Sequence, residues 1–429
     1  MILFLFKYER RNNMKVLIIS PAKGLYDSQT DGYNGGGWVA SLQQNLEKEA
    51  DIELAFTFVT PQPLQKEKRG NTTYYPIHIP DKSGLEKLYY YWYGYKKDVF
   101  DKSIVKPLKE VINDFAPDII HIFGTESNWA YLVDETDIPC VVHLQGLLCA
   151  VSNISYPAGV SENDVMSITD IREFWLRNGV VFNNRRMKVS AEREKEHLKR
   201  CRYIIGRTQW DREIAELYNP DVQYFHVDEV LRAPFYKAKK WEYNGGKLRI
   251  VSTLSPTIYK GFDIVLKTAK ALQETGIDFE WNIIGINGDH KIIGMLEKAC
   301  GLRSVNLNIN YLGIKQPEEI IEILHKATMY VHPSYIDNSP NSLCEAQYLG
   351  VPTIATNVGG IPTMMNYNEK YMASPVVPHS LAAKILALHK EIKEGKYINT
   401  LSTITQERHN PDKIIESLKS TYKTIISNK

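Results

Sequence analysis

Two carboxylates eight residues apart flank a turn that is suited to binding an anion. Asp337 and Glu345 lie on either side of a polar segment in which Ser339 can cap a helix and Pro340 fits its first position. The first N–H groups of a helix have no partner within it and attract phosphate. Here those groups belong to Asn341, Ser342 and Leu343, beside Asn338. A phosphate site between two carboxylates that accept hydrogen bonds from hydroxyl groups is suited to a sugar nucleotide.

Alternating strands and helices must position these residues. Short apolar runs, typical of buried parallel strands, form two series. The first series is Val16–Ile19, Leu54–Val59, Ile119–Phe123, Cys140–Leu144 and Tyr203–Ile205. The second series is Leu248–Ser252, Phe279–Ile284, Asn308–Tyr311, Met329–His332 and Thr353–Thr356. We therefore predict an α/β protein with two doubly wound, Rossmann-like domains, residues 14–240 and 247–409, facing each other across a cleft. Residues 410–429 are predicted to form one amphipathic helix.

Composition excludes several classes of protein. A chain of 429 residues with 43% hydrophobic residues has enough apolar surface for two cores, and its net charge of +2 gives no signature of nucleic-acid binding. Five cysteines without a Cys-x-x-Cys pair argue against a disulfide framework or a zinc site and favour a reducing cytoplasm. The apolar run at the start is too short to span a membrane. We expect Met14 to be the natural start and residues 1–13 to be peripheral.

The segment from Asp337 to Glu345 resembles the E-x7-E motif of family 4 (group 1) glycosyltransferases, which have the GT-B fold. The resemblance covers nearly the whole chain, including Gly35-Gly36-Gly37, Lys260-Gly261 after the first strand of the second domain, and a C-terminal helix that returns to the first domain. It implies that Glu345 binds the ribose hydroxyls of a nucleotide. It also implies that Asp337, one methylene shorter than the usual Glu, contacts the donor sugar.

Other parts of the donor site follow from the same resemblance. Lys260 is expected to place its ammonium on the donor diphosphate, and Gly36 and Gly37 allow close approach of backbone to phosphate. A surface lysine and a flexible turn are the plainer alternatives. Many relatives carry an Arg shortly before this lysine, whereas Ser252-Thr253-Leu254 has none. Main-chain contacts to the base are expected around Gly285 and Ile314.

Four residues of the first domain are candidates for the facing side of the cleft. Gln145 stands where the family often has a His that touches the donor sugar, but an amide does not titrate near neutral pH. His143 lies deeper on the same strand and is more typical of a core residue. Glu126 ends a neighbouring strand and is a candidate for acceptor contact. Arg207 lies in a Gly-Arg-Thr-x-Trp-Asp sequence that resembles a bacterial polysaccharide-assembly subgroup. We expect it to face the cleft and replace the missing Arg, with a purely structural loop as the alternative.

Two segments predict contact with a membrane surface. Residues 88–97 are aromatic with a basic end, and residues 184–212 contain ten Lys/Arg against four acids. Together they are suited to an anionic lipid surface at the inner face of the plasma membrane. A solvated basic helix and a packed aromatic helix are the equally weighted alternative.

The resemblance implies a retaining, metal-independent glycosyltransferase without a cofactor. We expect it to move a sugar from a UDP- or GDP-sugar to a hydroxyl of a lipid-linked glycan during synthesis of a bacterial surface polysaccharide. Because Asp337, Gln145 and the missing Arg depart from the family pattern, a nucleotide-sugar-binding protein without turnover is one alternative. A sugar-nucleotide epimerase or a glycosyl phosphorylase on the same fold is another, although their acid/base set or pyridoxal lysine is not evident.

Overall fold

A computed structural model describes residues 13–26, 37–157 and 159–428, and every structural statement below refers to these residues. Residues 1–12 of the segment predicted to be peripheral lie outside them, as do the glycines Gly35 and Gly36. The strands before residue 240 are β1 Met14–Ile19, β2 Ile52–Thr60, β3 Glu67–Arg69, β4 Thr72–His78, β5 Ile119–Phe123, β6 Cys140–His143, β7 Tyr203–Gly206 and β8 Gln223–His226. The later strands are β9 Leu248–Thr253, β10 Phe279–Ile284, β11 Ile309–Gly313, β12 Met329–His332, β13 Thr353–Thr356 and β14 Met372–Ala373.

Helices connect and cover these strands. In the first half they are α1 Gly37–Leu46, α2 Gly84–Tyr89, α3 Tyr95–Val99, α4 Val105–Phe115, α5 Leu148–Val151, α6 Glu162–Met166, α7 Ile171–Trp175, α8 Val180–Arg200, α9 Gln209–Tyr218 and α10 Ala233–Lys237. In the second half they are α11 Phe262–Glu274, α12 Lys291–Cys300, α13 Pro317–Lys326, α14 Asn341–Leu349, α15 Ile361–Met364, α16 Pro378–Lys393, α17 Thr400–Arg408 and α18 Pro411–Ser427. A π-helical turn, Tyr90–Gly94, joins α2 to α3.

Two separate sheets confirm the predicted α/β architecture. The first has the strand order β3-β4-β2-β1-β5-β6-β7-β8, and the second has the order β11-β10-β9-β12-β13-β14. Neighbouring strands are parallel except for β3 and β4. In both sheets the order reverses beside the first strand, and the carboxyl ends of the strands at such a point form a crevice for ligands.

The C-terminal helix α18 returns to the first domain, as predicted. Its apolar face packs in one core with residues of β1, β2 and β5. This face of α18 consists of Ile414, Ile415, Leu418, Tyr422 and Ile425. On its polar side the Lys419 ammonium lies 2.6 Å from Asp51 Oδ1 and also pairs with Glu49. The last helix of the described chain therefore belongs to the first domain by packing.

Within the described part of the chain, the sequence pattern missed four strands: β3, β4, β8 and β14. Pro76 interrupts β4, and β8 is polar and only partly buried, so neither has the continuous apolar run of a central strand. The basic stretch 184–212 is mainly helix α8. Several of its cations are paired with acids nearby, such as Lys195 with Glu192 and Arg200 with Asp134. The membrane contact predicted for this stretch stays a prediction.

Candidate active site

Lys260 and Asp337 meet at the carboxyl ends of β9 and β12. The ammonium of Lys260 lies 2.6 Å from Asp337 Oδ2. The same oxygen accepts a hydrogen bond from His332 Nε2 at 2.9 Å and one from Ser334 Oγ at 3.2 Å. Gly261, with φ of +81°, makes this approach possible because a Cβ there would clash with the carbonyl oxygen of Pro333. The lysine and the polar turn are therefore parts of one site.

The charges of this pair stabilise each other. Burial by itself raises the pKa of Asp337, but the Lys260 ammonium and the hydrogen bond from His332 hold that pKa well below its usual range. Burial disfavours the ammonium of Lys260, and the charge of Asp337 more than offsets it, so the pKa of Lys260 is raised. An ammonium has three donors, so Lys260 can hold Asp337 and still donate to a phosphate.

The N-terminus of α14 differs from the prediction at one position. Pro340, not Ser339, is the N-cap, and its carbonyl oxygen accepts the N–H groups of Leu343 at 3.0 Å and Cys344 at 3.2 Å. The amide of Leu343 is therefore not available to a ligand. The N–H groups of Asn341 and Ser342 have no hydrogen-bond partner among the described residues. The buried hydroxyl of Ser339 has none there either, so it adds a polar group to this anion site.

Glu345 is buried rather than solvated, and Arg232 of the first domain binds it. The guanidinium makes two parallel hydrogen bonds, Nε to Oε1 at 2.6 Å and Nη2 to Oε2 at 2.7 Å. Burial lowers the pKa of Arg232, but the bidentate contact with Glu345 outweighs it and keeps the arginine protonated. The carboxylate expected to bind ribose thus already has a cationic partner from across the cleft.

A cavity of about 630 Å³ lies between the domains beside this ion pair. Gly37 and Ser41 of α1 line it together with Arg232, and Gln316 and Glu318 line it from the second domain. Gly37 is one of the two glycines predicted from the sequence to allow close approach of the backbone to a phosphate.

The predicted base contacts lie at the ends of two paired strands. Gly285 follows β10 and Ile314 follows β11, and the Gly285 N–H donates to Gly313 O at 2.8 Å. Ile314 is exposed. Both positions lie at the carboxyl ends of their strands, which is the end of such sheets at which ligands bind.

Gln145 reaches the second domain through its backbone. Asn338 Nδ2 lies 3.5 Å from the carbonyl oxygen of Gln145, and Thr208 Oγ1 donates to Asn338 Oδ1 at 3.0 Å. Beside it, the carboxylate of Glu126 accepts the N–H of Gly146 at 2.8 Å, and burial raises the pKa of Glu126. Gln145 therefore lies against the loop that carries Asp337, and Glu126 lies beside Gln145.

Arg207 does not face the cleft as expected. Its guanidinium is buried, pairs with Glu229 and donates at 3.1 Å to the carbonyl oxygens of Leu144 and Gln145. It holds the Gln145 backbone and is not free to replace the missing Arg.

His143 is a core residue, in line with the plainer interpretation. It is buried, and its Nδ1 lies 3.2 Å from His121 Nε2. The other ring nitrogen of His121 contacts the hydroxyl of Tyr422 at 2.5 Å. His143 is thus the inner end of a buried polar chain that leads to α18.

Sequence reasoning missed Arg232 and the roles of His332 and Ser334. Arg232 lies near the end of the first domain and belongs to no motif. His332 and Ser334, five and three residues before Asp337, were a usable signal because polar side chains so near a carboxylate can hydrogen-bond to it. Among the described residues, no three His, Cys, Asp or Glu side chains gather closely enough to hold a metal ion. In the same part of the chain, every helix is too short or too polar to span a membrane.

Residues 237–401 match the family model described as "Glycosyl transferases group 1". A segment of 148 residues is 29% identical to the amylovoran biosynthesis glycosyltransferase AmsK of Erwinia amylovora. That alignment covers 33% of this chain and 36% of the relative, so the chain matches about a third of that protein's length.

Solved structures with similar folds cover nearly the whole chain. Sucrose-phosphate synthase from Thermosynechococcus elongatus superposes with a TM-score of 0.70 at 14% identity, over 97% of this chain and 100% of the other. HepE from Anabaena, in complex with UDP and glucose, superposes with a TM-score of 0.61 at 12% identity, over 95% and 99% of the two chains. The chain therefore has the GT-B fold.

Proposed function

We propose that this protein is a glycosyltransferase that moves a sugar from a UDP- or GDP-linked donor to a hydroxyl of a bacterial surface glycan. The observation that carries the proposal is the meeting of Lys260 and Asp337 beside the open N-terminus of α14. This arrangement offers an ammonium and unpaired N–H groups to a diphosphate, and a carboxylate to a sugar. The match of residues 237–401 and the similarity to an enzyme named for amylovoran biosynthesis support it.

In the proposed reaction the acceptor oxygen bonds to the anomeric carbon while the bond from that carbon to the diphosphate breaks. The proton of the acceptor hydroxyl passes to the departing diphosphate oxygen on the same face, so the anomeric configuration is retained. Lys260 and the N–H groups of Asn341 and Ser342 stabilise the charge that builds on the leaving group. We propose that the reaction uses no metal ion or cofactor. The proposed acceptor is a lipid-linked glycan.

The interdomain contacts suggest how the acceptor reaches the donor. Asn338 contacts Thr208 and the Gln145 backbone, so the first domain closes directly over the loop that carries Asp337. Closure excludes water, which would otherwise hydrolyse the donor. The carboxylate of Glu126 accepts the N–H of Gly146, the residue after Gln145. We propose Glu126 as the carboxylate that contacts the acceptor.

Release of nucleotide from a panel of UDP- and GDP-sugars, with and without lipid-linked glycan, tests the proposal. Asp337→Asn should slow transfer about 100-fold while changing nucleotide affinity by less than about threefold, because its carboxylate acts on the sugar. Asp289→Asn, which removes an exposed carboxylate of the same domain, is the matched control. Equal turnover in both variants would exclude Asp337 from the reaction.

A donor-binding protein without turnover is the second candidate. Lys260 is held by Asp337 and Glu345 by Arg232, so both groups expected to bind the donor already have partners. Nucleotide binding without acceptor-dependent release across the whole panel would favour this candidate. Conversion of the donor without acceptor would instead indicate an epimerase, and phosphate-dependent release of a sugar phosphate would indicate a phosphorylase.

A further inference from the structure

Exposed apolar side chains concentrate on one face of the first domain. Among the described residues, seven of sixteen exposed large hydrophobic side chains come from α2, the π-helical turn and α7. We call this the aromatic face and define it as Leu85, Leu88, Tyr89, Tyr93, Ile171, Phe174 and Trp175. Leu85 is 84% exposed and Trp175 60%. Such a concentration marks a surface that contacts a partner or a membrane.

Specific contacts build this face from two segments that are about eighty residues apart in sequence. The indole N–H of Trp92 donates to the carbonyl oxygen of Trp175 at 2.7 Å, and the Arg177 guanidinium lies 4.1 Å from the Trp92 ring centroid. Asp170 caps α7 by accepting the N–H of Glu173 at 2.7 Å. Between the segments lies a groove of about 530 Å³ lined by Leu85, Tyr89 and Trp175 among others. The face is thus a folded surface of defined shape.

Positive charge exceeds negative charge in the two segments that carry the aromatic face. Residues 84–98 and 170–188 contain eight Lys/Arg and four Asp/Glu. Among these eight cations, only Arg185 has an ion pair with a described residue, Glu162. Five of the others are exposed and have neither an ion pair nor a cation–π contact there: Lys87, Lys96, Lys97, Arg172 and Lys188. Aromatic rings with polar edges, aliphatic tips and unpaired cations together match the interfacial layer of an anionic membrane.

We propose that the aromatic face binds an anionic phospholipid bilayer, with Leu85, Ile171 and Trp175 inserted among the headgroups. An anionic bilayer satisfies the apolar tips and the unpaired cations at the same time, whereas an apolar protein partner would leave the cations without counter-charges. Glu173 of α7 pairs with Lys291 of the second domain, so the face lies on an element that contacts both domains. The proposal does not depend on catalysis, because binding to vesicles is its readout.

Sedimentation of the full-length protein with vesicles tests it. Vesicles of phosphatidylcholine with phosphatidylglycerol should bind the protein at least tenfold more tightly than phosphatidylcholine alone, and added salt should release it. The triple variant Leu85→Ser, Tyr89→Ser, Trp175→Ser should bind at least tenfold more weakly. The matched control is Leu217→Ser, Val305→Ser, Ile398→Ser, which removes three equally exposed apolar side chains elsewhere and should bind as the wild type does.

A second variant separates charge from folding. Lys96→Gln, Lys97→Gln, Arg172→Gln keeps the apolar side chains and should weaken binding to anionic vesicles while leaving the melting temperature unchanged. The proposal would be overturned if the wild type did not bind anionic vesicles. It would also be overturned if the variant Leu85→Ser, Tyr89→Ser, Trp175→Ser and the charge variant both bound them as tightly as the wild type does. Self-association that only the apolar variant abolishes, without vesicle binding, would assign the face to a second copy of the chain and overturn it too.

Discussion

Individual residues of the candidate site pair with each other. Asp337 holds Lys260, and Arg232 holds Glu345, so each expected donor contact has an opposite charge beside it. Such pairs fix the side chains. Despite burial, the Lys260 ammonium holds the pKa of Asp337 below its usual range, whereas burial raises the pKa of Glu345 and Arg232 offsets this only in part. A donor must then bind alongside these pairs, or replace one partner, and the two possibilities differ in what mutation will do.

The Glu345 assignment gives a prediction at this scale. Glu345→Gln should weaken UDP or GDP binding about 10- to 100-fold, because a charged acceptor for the ribose hydroxyls is lost. Glu318→Gln, an exposed glutamate that lines the cavity beside Arg232, is the matched control. Titration calorimetry with the nucleotide and its 2′-deoxy analogue measures both effects. If removing the hydroxyl weakens binding as much in Glu345→Gln as in the wild type, Glu345 does not bind that hydroxyl.

At the scale of elements, the turn after β13 supports the loop that carries Asp337. The Gly360 N–H donates to Asp337 O at 3.0 Å. A Cβ at Gly360 would clash with the carbonyl oxygen of Asn338 and lie 2.7 Å from Thr208 Cγ2 in the other domain. Two loops and both domains therefore meet where there is no room for a side chain.

This crowding predicts the effect of one methyl group. Gly360→Ala should displace the Asn338 loop, destabilise the fold by about 1–3 kcal/mol and slow transfer more than tenfold. Gly294→Ala is the control, because a Cβ there meets nothing within 4 Å and alanine favours helix α12 by about 0.5–1 kcal/mol. Urea unfolding and turnover measure the two effects. Wild-type turnover in Gly360→Ala would show that the loop tolerates the shift.

Sequence alone predicts strands and helix ends best where a local pattern of residues determines them. The ten predicted strands are present because each is a short, continuous apolar run, and α14 ends at Gly350, whose φ of +95° favours glycine. Strand β4 was missed because tertiary pairing outweighs the proline within it. The partners of Arg207 and Glu345 come from segments 22 or more residues away, and local patterns carry no signal for such contacts.

Across the whole molecule, α18 connects the end of the second domain to a buried polar chain in the first. Tyr422 contacts His121, and His121 contacts His143. In the turn between α17 and α18, His409 Nδ1 contacts the carbonyl oxygen of Glu229 at 2.7 Å. Burial lowers the pKa of His121 and of His409 to about 3 and that of His143 well below its usual value. These rings are therefore neutral in the folded protein.

This neutrality sets the direction in which stability changes with pH. An unfolded histidine has a pKa near 6.5, so below that pH the unfolded chain binds protons that the folded protein does not. Stability is therefore complete above about pH 6.5 and declines as the pH falls toward 3. Each such histidine should lower the free energy of unfolding by about 1.4 kcal/mol at pH 5.5. His226 opposes the trend, because its hydrogen bond with Asp228 raises its pKa.

Thermal unfolding between pH 7.5 and 5.5 measures the slope, and His121→Gln identifies its source. The wild type should lose melting temperature on acidification, because several neutral buried rings outweigh the single raised pKa of His226. The variant should start lower, since it breaks the contact with Tyr422, but its melting temperature should fall less steeply because one titrating ring is gone. His379→Gln, a histidine outside the buried chain, should keep the wild-type slope. A melting temperature that rises on acidification, or equal slopes in all three proteins, would show that these rings do not link α18 to the pH dependence of folding.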